Sequence, residues 1–393
     1  RSAAGAVGDA PEAAGRGALV PSDVDQSLSS SWARRSISRR TNSGGVSGGI
    51  ITVVGATDAE LPLALAQQGS FLVHCLTTEA AVCDALRRTI RAHGVYGTVS
   101  AGTLSESRLP YAGNLINIVV LASPAVSSPR SVTPKEILRV LAPLGTVFVA
   151  KSPTANSGES PDTWASASML RLPGAFEPLK MEANAAWLAF KKSWPREIDE
   201  WGHYLHGADG NPVAQDSVVG PPAHYQWIGG PAWLRCHETD SSISTLVTAQ
   251  GRLFAIVDEA PIGLPGQHSL PDKWFLIARD AFNGTLLWKV PIRRWGWREW
   301  KPIWFNTRPG DIPLNIQKRL VAAGDRVYAT LGYQAPVSQL DARSGEILQS
   351  YAGTERTGEI LHRDGTLILS VLDGKRMKVM AVNAATGKQL WVT

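Results

Sequence analysis

Three times in the C-terminal part of the chain, five residues of one pattern precede a short apolar run. Asp280-Ala281-Phe282-Asn283-Gly284 leads into Thr285-Leu286-Leu287-Trp288, Asp341-Ala342-Arg343-Ser344-Gly345 into Glu346-Ile347-Leu348, and Asn383-Ala384-Ala385-Thr386-Gly387 into Lys388-Gln389-Leu390-Trp391. The shared Asp/Asn-Ala-x-x-Gly has the chemistry of a tight hairpin. A side-chain acceptor caps the turn, glycine takes the positive φ, and the next strand carries apolar residues on its buried face. A second hairpin signal stands upstream of each copy, at Gln250-Gly251, Gly324-Asp325 and Asp364-Gly365. Each repeat therefore reads as four short strands.

Gly345 and Gly387 are 42 residues apart, a spacing that suits one four-stranded propeller blade. Gly284 and Gly345 are 61 apart, so the first repeat carries an insertion, from Trp295 to about Ile316. The Asp-Ala-x-x-Gly-x-x-x-Trp copies resemble the tryptophan-docking blades of quinoprotein (PQQ-type) dehydrogenases and of related non-catalytic propellers in bacterial envelopes. The resemblance implies that Trp288 and Trp391 each pack on a neighbouring blade, and the middle copy departs from it with Gln349 at the equivalent place. About three blades are legible over residues 241–393, fewer than a propeller needs to close. An open edge left uncovered would invite aggregation.

The run from Ile50 to Lys151 has a different character, alternating short β-branched segments with helical periodicity, as a βαβ-type domain does. Ile50–Val54, Phe71–Leu76, Leu115–Leu121 and Thr146–Ala150 are the expected strands. Val82, Leu86 and Ile90 at i, i+4 and i+8 predict one amphipathic helix, and Pro134–Leu141, closed by Pro143 and Gly145, a second. Strand, Gly-containing turn, helix and strand from Ile51 to Leu76 resemble a class I S-adenosylmethionine (SAM)-dependent methyltransferase. Arg108-Leu109-Pro110-Tyr111 and the stretch Glu136 to Gly145 extend the likeness.

The residues that would hold the cofactor in that family depart from its pattern. Where it uses Gly-x-Gly to bring backbone close to the methionine moiety, this chain reads Gly55-Ala56-Thr57-Asp58. Where it ends the second strand in an acid for the ribose hydroxyls, this chain has Thr77, with Glu79 two residues on. Asn117 replaces a frequent acid in the fourth strand. Gly55, Asp58, Thr77 and Glu79 thus form a degenerate SAM-like site, and no acid–base pair or nucleophile constellation accompanies it.

The expected architecture is multidomain. An Ala/Gly/Ser/Arg-rich segment, 1–48, has too few large apolar residues to offset its chain entropy and reads as disordered. A Rossmann-like α/β, methyltransferase-like domain follows over 49–151, then a linker and entry segment over 152–240, partly helical around Trp187, Trp194 and Trp201. All-β blades complete the chain. It opens on Arg1 rather than methionine, so a processed form or a fragment is expected.

Two constellations can be read in two ways. His203, His206 and Asp209, with Asp216, His224, His237 and Glu238 nearby, suit either a metal or polar ligand site or the hydrogen bonding of a long loop. Trp295, Trp297, Trp300, Trp304 and Phe305, mixed with Arg293, Arg294, Arg298 and Lys301, suit either a stacking surface or a cover that buries its rings. Cys75, Cys83 and Cys236 form no CxxC or CxxCH motif, so neither zinc, haem nor a disulfide framework is indicated. The net charge of +5 is spread along the chain and gives no specific nucleic-acid signal. No apolar run approaches the roughly 18 residues of a membrane-spanning helix.

From these features a binding or scaffold protein of the cell envelope is expected, exported or periplasmic, with a protein or envelope component as partner. The alternatives are a SAM-dependent methyltransferase and a PQQ-dependent dehydrogenase with further blades. SAM and PQQ enter by resemblance, neither with an intact site, and no metal is expected.

Overall fold

The computed structural model describes residues 47–122, 132–150, 172, 174–181, 187–221, 224–230, 234, 241–260, 273–300 and 315–393, the side chains of Trp297 and Arg298 excepted. The segments 1–46 and 151–171, with Cys236, His237, Glu238, Lys301, Trp304 and Phe305, lie outside the described residues.

The first half is a seven-stranded sheet made of β1 (Gly48–Val54), β2 (Ser70–Thr77), β3 (Val99–Thr103), β4 (Ile116–Leu121), β5 (Leu141–Ala150), β6 (Phe176–Pro178) and β7 (Trp187–Lys192). Their order is β3-β2-β1-β4-β5-β7-β6. The first five run parallel, while β7 is antiparallel to both of its neighbours. Parallel strands buried on both faces read as continuous apolar runs, and Ile116–Leu121 is buried at every position. The crossovers hold α1 (Glu60–Ala66), α2 (Ala80–Ala92) and α3 (Pro134–Val140). α2 buries Cys83, Leu86 and Ile90 against Ile51, Val53, Val73 and Cys75, while α3 buries Ile137 and Val140 with Ile116, Val119 and Leu121. Thr133 caps α3 by accepting from the Glu136 N–H at 3.2 Å, and Pro134 fills the first turn.

Several sequence expectations change here. The segment around Trp187 is a strand and not helical, so the sheet reaches past residue 151 into the expected linker. Its alternation is masked because Trp187, Ala189 and Phe190 are all buried. Lys192 at its end is buried too. Its Nζ donates to Asn114 Oδ1 at 2.7 Å and to the Leu138 and Leu141 carbonyls at 2.9 and 2.6 Å, and burial pulls its pKa down to about 8. Pro143 and Gly145 do not close α3; the chain re-enters a strand at Leu141 and passes them within β5. Leu144 at φ 64° and a register shift against β4 absorb the bend. β3 carries a weak apolar pattern, Val-Ser-Ala-Gly-Thr, and was not expected, while α1 is the helix expected between the first two strands.

Among the described residues the second half forms three four-stranded antiparallel sheets. They are β8 (Ile243–Ala249) to β11 (Leu286–Pro291), with β9 (Arg252–Asp258) and β10 (Trp274–Asp280) between, then β12 (Leu320–Ala323), β13 (Arg326–Thr330), β14 (Val337–Asp341) and β15 (Ile347–Ser350). The last holds β16 (Thr357–Arg363), β17 (Thr366–Asp373), β18 (Arg376–Asn383) and β19 (Gln389–Val392). First strands of successive sheets lie side by side, β8 against β12 and β12 against β16. The expected hairpins are present. Asp280 Oδ1 accepts from Phe282 and Asn283 N–H, both at 2.9 Å, and Asp341 Oδ1 and Asn383 Oδ1 cap their turns the same way. Gly284, Gly345 and Gly387 take φ of 73°, 75° and 72°. Each turn is also tied to the upstream hairpin of its own sheet: the N–H groups of Ala281, Ala342 and Ala384 donate to the carbonyls of Gly251, Asp325 and Gly365.

Candidate functional site

In an open parallel sheet the strand order reverses at one point, and ligands bind beyond the carboxyl ends of the strands there. Here that point lies between β1 and β4. Gly55 follows β1 at φ 79°, its N–H donating to the Leu76 carbonyl at 2.8 Å. Asp58 is exposed, and its Oδ1 accepts from the Glu60 N–H at 2.9 Å at the start of α1. Thr77 ends β2 as a buried side chain whose Oγ1 accepts weakly from the Glu79 N–H at 3.4 Å, and Glu79 is the exposed residue that precedes α2. The four residues therefore share the carboxyl edge of β1 and β2. The edge has the positive-φ glycine that close backbone approach requires, but no carboxylate at the end of β2.

Asn117 does not belong to that edge. It sits at the opposite, amino-terminal end of β4, 4% exposed, and joins the two halves of the molecule. Its Nδ2 donates to Asp280 Oδ2 at 2.6 Å, and its Oδ1 accepts from Asn283 Nδ2 at 2.7 Å and from the Ile50 N–H at 2.8 Å. Asn283 Nδ2 also reaches the Leu115 carbonyl at 3.0 Å. Ser70 Oγ donates to the Leu287 carbonyl and Ser47 Oγ to the Arg343 carbonyl, at 3.2 and 2.8 Å. A Cβ at Gly49 would stand 1.9 Å from Asn117 Oδ1, so only glycine fits beneath this joint. The absence of an acid at 117 is explained by the same contact: a carboxylate there would face that of Asp280.

A second arrangement recurs across the C-terminal sheets. The Trp288 indole N–H of the first sheet donates to the Ala342 carbonyl in the turn of the second at 3.0 Å, and its ring lies so close to Gly345 that a Cβ there would stand 2.7 Å from it. In the second sheet Tyr351 takes over, its hydroxyl donating to the Ala384 carbonyl at 2.6 Å, while Gln349 covers Gly387. The first turn is met in the same manner by Trp227, from the entry segment, whose indole N–H donates to the Ala281 carbonyl at 3.0 Å over Gly284. Trp391, the equivalent residue of the third sheet, is 45% exposed.

The entry segment also ties the sheets at their first strands. The Thr248 N–H donates to the Trp201 carbonyl at 2.8 Å, the Ala322 N–H to the Gly202 carbonyl at 2.9 Å, and the His362 N–H to His203 Nε2 at 3.1 Å. The three donors hold equivalent places, each paired with the second residue of its partner strand beyond the hairpin. Arg252 adds a cross-link from the first sheet to the second through Asp325 Oδ1 at 2.8 Å and the Gly324 carbonyl at 3.2 Å.

In this geometry the described histidines and acids of that constellation serve the hydrogen bonding of the loop. His203 must present a lone pair to the His362 N–H, and burial lowers its pKa to about 4, keeping the ring neutral. His206 Nε2 pairs with Asp199 Oδ2 at 2.7 Å, Asp209 Oδ1 accepts from the Asn211 N–H, and Asp216 Oδ1 from the Val219 N–H. Among the described residues no group of three His, Cys, Asp or Glu side chains could hold a metal ion. Trp227 and Tyr351 were missed from sequence; the Trp-Ile-Gly-Gly stretch at 227–230 was the one local signal for the former. No described helix is long and apolar enough to cross a membrane.

No protein-family model matches the sequence, and no curated relative does. Among solved structures the chain is similar to a SAM-dependent methyltransferase from Aquifex aeolicus, at 13% identity and TM-score 0.33 over 40% of this chain and 88% of that one. It is also similar to a geranyl diphosphate methyltransferase bound to SAM, at 12% identity and TM-score 0.32 over 42% and 84%, and to a 4+2 cyclase, at 16% and 0.34 over 41% and 81%.

Proposed function

We propose that the protein is a binding scaffold in which the C-terminal sheets are blades of a quinoprotein-like propeller and the α/β domain is a rigid module mounted on them. The observation that carries this reading is the docking relay. Trp227, Trp288 and Tyr351 each satisfy the alanine carbonyl of one turn, and Trp391 stands next in the series with its ring exposed. The scaffold offers the Trp391 indole to a further turn of the same kind, which a following blade or a partner would supply. An exported, cell-envelope setting belongs to the same proposal and is tested by fractionation. PQQ-dependent chemistry draws no support from a described residue.

One observation favours a second reading, a SAM-dependent methyltransferase. The joint to the C-terminal sheets uses the amino-terminal edge of the large sheet, so it leaves the carboxyl edge with Gly55, Asp58, Thr77 and Glu79 uncovered by that joint. Calorimetric titration with SAM separates the two. Absence of binding at millimolar SAM is expected for the scaffold, and saturable micromolar binding would replace it by the methyltransferase.

A further inference from the structure

A cavity of about 340 Å³ opens between the bend at Arg293–Trp295 and the loop that joins β13 to β14, lined by Arg293, Arg294, Glu299, Tyr333 and Gln334. Its size falls at the small end of the range for small-molecule sites. Backbone contacts fix its walls: the Tyr333 N–H donates to the Arg294 carbonyl at 2.9 Å, and Gly332 approaches the Arg293 carbonyl so closely that a Cβ would stand 2.9 Å from it. Both arginine side chains are exposed, and neither forms an ion pair with a described residue.

A third guanidinium stands behind Tyr333. Arg319 is 4% exposed, its Nη1 donates to the Tyr333 carbonyl at 2.6 Å, and its charge lies 4.6 Å from the Tyr333 ring centre and 5.9 Å from that of Trp295. Its Nε has no hydrogen-bond partner, and the buried indole N–H groups of Trp295 and Trp300 have none either. No described carboxylate pairs with Arg319. A buried cation that no described carboxylate neutralises raises the potential next to it in a low-dielectric surround. Among the described residues, three guanidinium groups and one carboxylate, Glu299, stand at or behind this cavity.

We propose that this cavity binds an anionic sugar, a hydroxylated ring of about hexose size that carries a carboxylate, sulfate or phosphate. The arginines take the anionic group, in the geometry that planar guanidinium groups favour. Glu299 and Gln334 select the rest of the ligand. Sulfate offers Glu299 no donor and inorganic phosphate only its own hydroxyls beside the repelled charge, whereas ring hydroxyls set apart from the anionic group donate to the carboxylate and exchange hydrogen bonds with the amide.

The test is titration of the full chain with glucuronate, glucose 6-phosphate and glucose 6-sulfate, beside glucose, inorganic phosphate and inorganic sulfate, followed by calorimetry and tryptophan fluorescence. Saturable binding of at least one charged sugar is expected, with glucose and the inorganic ions weaker by about tenfold or more. Arg293→Ala with Arg294→Gly removes two exposed side chains and leaves a residue suited to φ 52° at 294, so it keeps the fold and loses about tenfold or more in affinity. Three results would overturn the proposal: no saturable binding of any charged sugar at millimolar ligand, inorganic ions binding as tightly as the sugars, or undiminished affinity in a double variant with an unchanged circular dichroism spectrum.

Discussion

The two edges of the seven-stranded sheet have been put to opposite uses. At the amino-terminal edge Gly49, Ser70 and Asn117 are each matched to a specific partner, and through Asp280, Asn283 and Leu287 that edge is locked to the first C-terminal sheet. At the carboxyl edge the Gly55 N–H donates to Leu76, Asp58 accepts from Glu60 and Thr77 from Glu79, all contacts within the α/β domain. The specific side chains in this domain are therefore concentrated on the joint and not on the ligand edge common to its fold. The C-terminal sheets repeat the contrast, with Trp288 sealed into a neighbour and Trp391 exposed.

The contrast breaks most visibly at the sealed dock. Trp288→Ala removes a buried ring and leaves the Ala342 carbonyl without its donor, so a loss of about 3–5 kcal/mol is expected in denaturant unfolding. A loss below 1 kcal/mol would mean that the docks are not what holds successive sheets together. Asn117→Asp places a second carboxylate against Asp280, itself buried and with its pKa raised chiefly by desolvation. About 2–4 kcal/mol should be lost at neutral pH and recovered in part on acidification, when the pair can share a proton. Equal stability of variant and parent across pH would show that the joint is open in solution.

His203 supplies a pH test. Its folded pKa is depressed below the unfolded value, so its contribution is present above about pH 6.5 and is lost as pH falls toward about 4. The protection of the His362 amide relative to its intrinsic exchange rate should fall over that window, and in His203→Ala it should be low throughout. The smallest effect is expected at the exposed edge, where Trp391→Ala should change stability by no more than about 0.5 kcal/mol. A larger loss would reveal that Trp391 is already docked.

What could be read from sequence follows the range of the forces involved. The hairpins were legible because five adjacent residues carry both the cap and the glycine that each turn requires. Trp288 was legible as a docking residue because its place in the repeat is fixed. Trp227 and Tyr351 perform the same task from outside that place, and only the position of the turn they meet identifies them. Asn117 read as a lost acid, since its reason for being an amide lies 163 residues away in Asp280. The strand at Trp187 was hidden because burial on both faces erases alternation. The carboxyl-edge residues were placed on adjacent strand ends by the βαβ pattern, while the side chains' engagement with local backbone depends on geometry that the pattern does not carry.

Trp201, Gly202 and His203 are neighbours in the chain, so along an extended backbone they are separated by roughly 3.3 Å per residue. Each serves the same position in a different sheet, two through carbonyls and one through a longer imidazole arm. The tripeptide thus ties the first strands of three successive sheets together in chain order, one residue to each sheet. A single residue inserted between Trp201 and His203 would put the contacts to the three sheets out of step with one another.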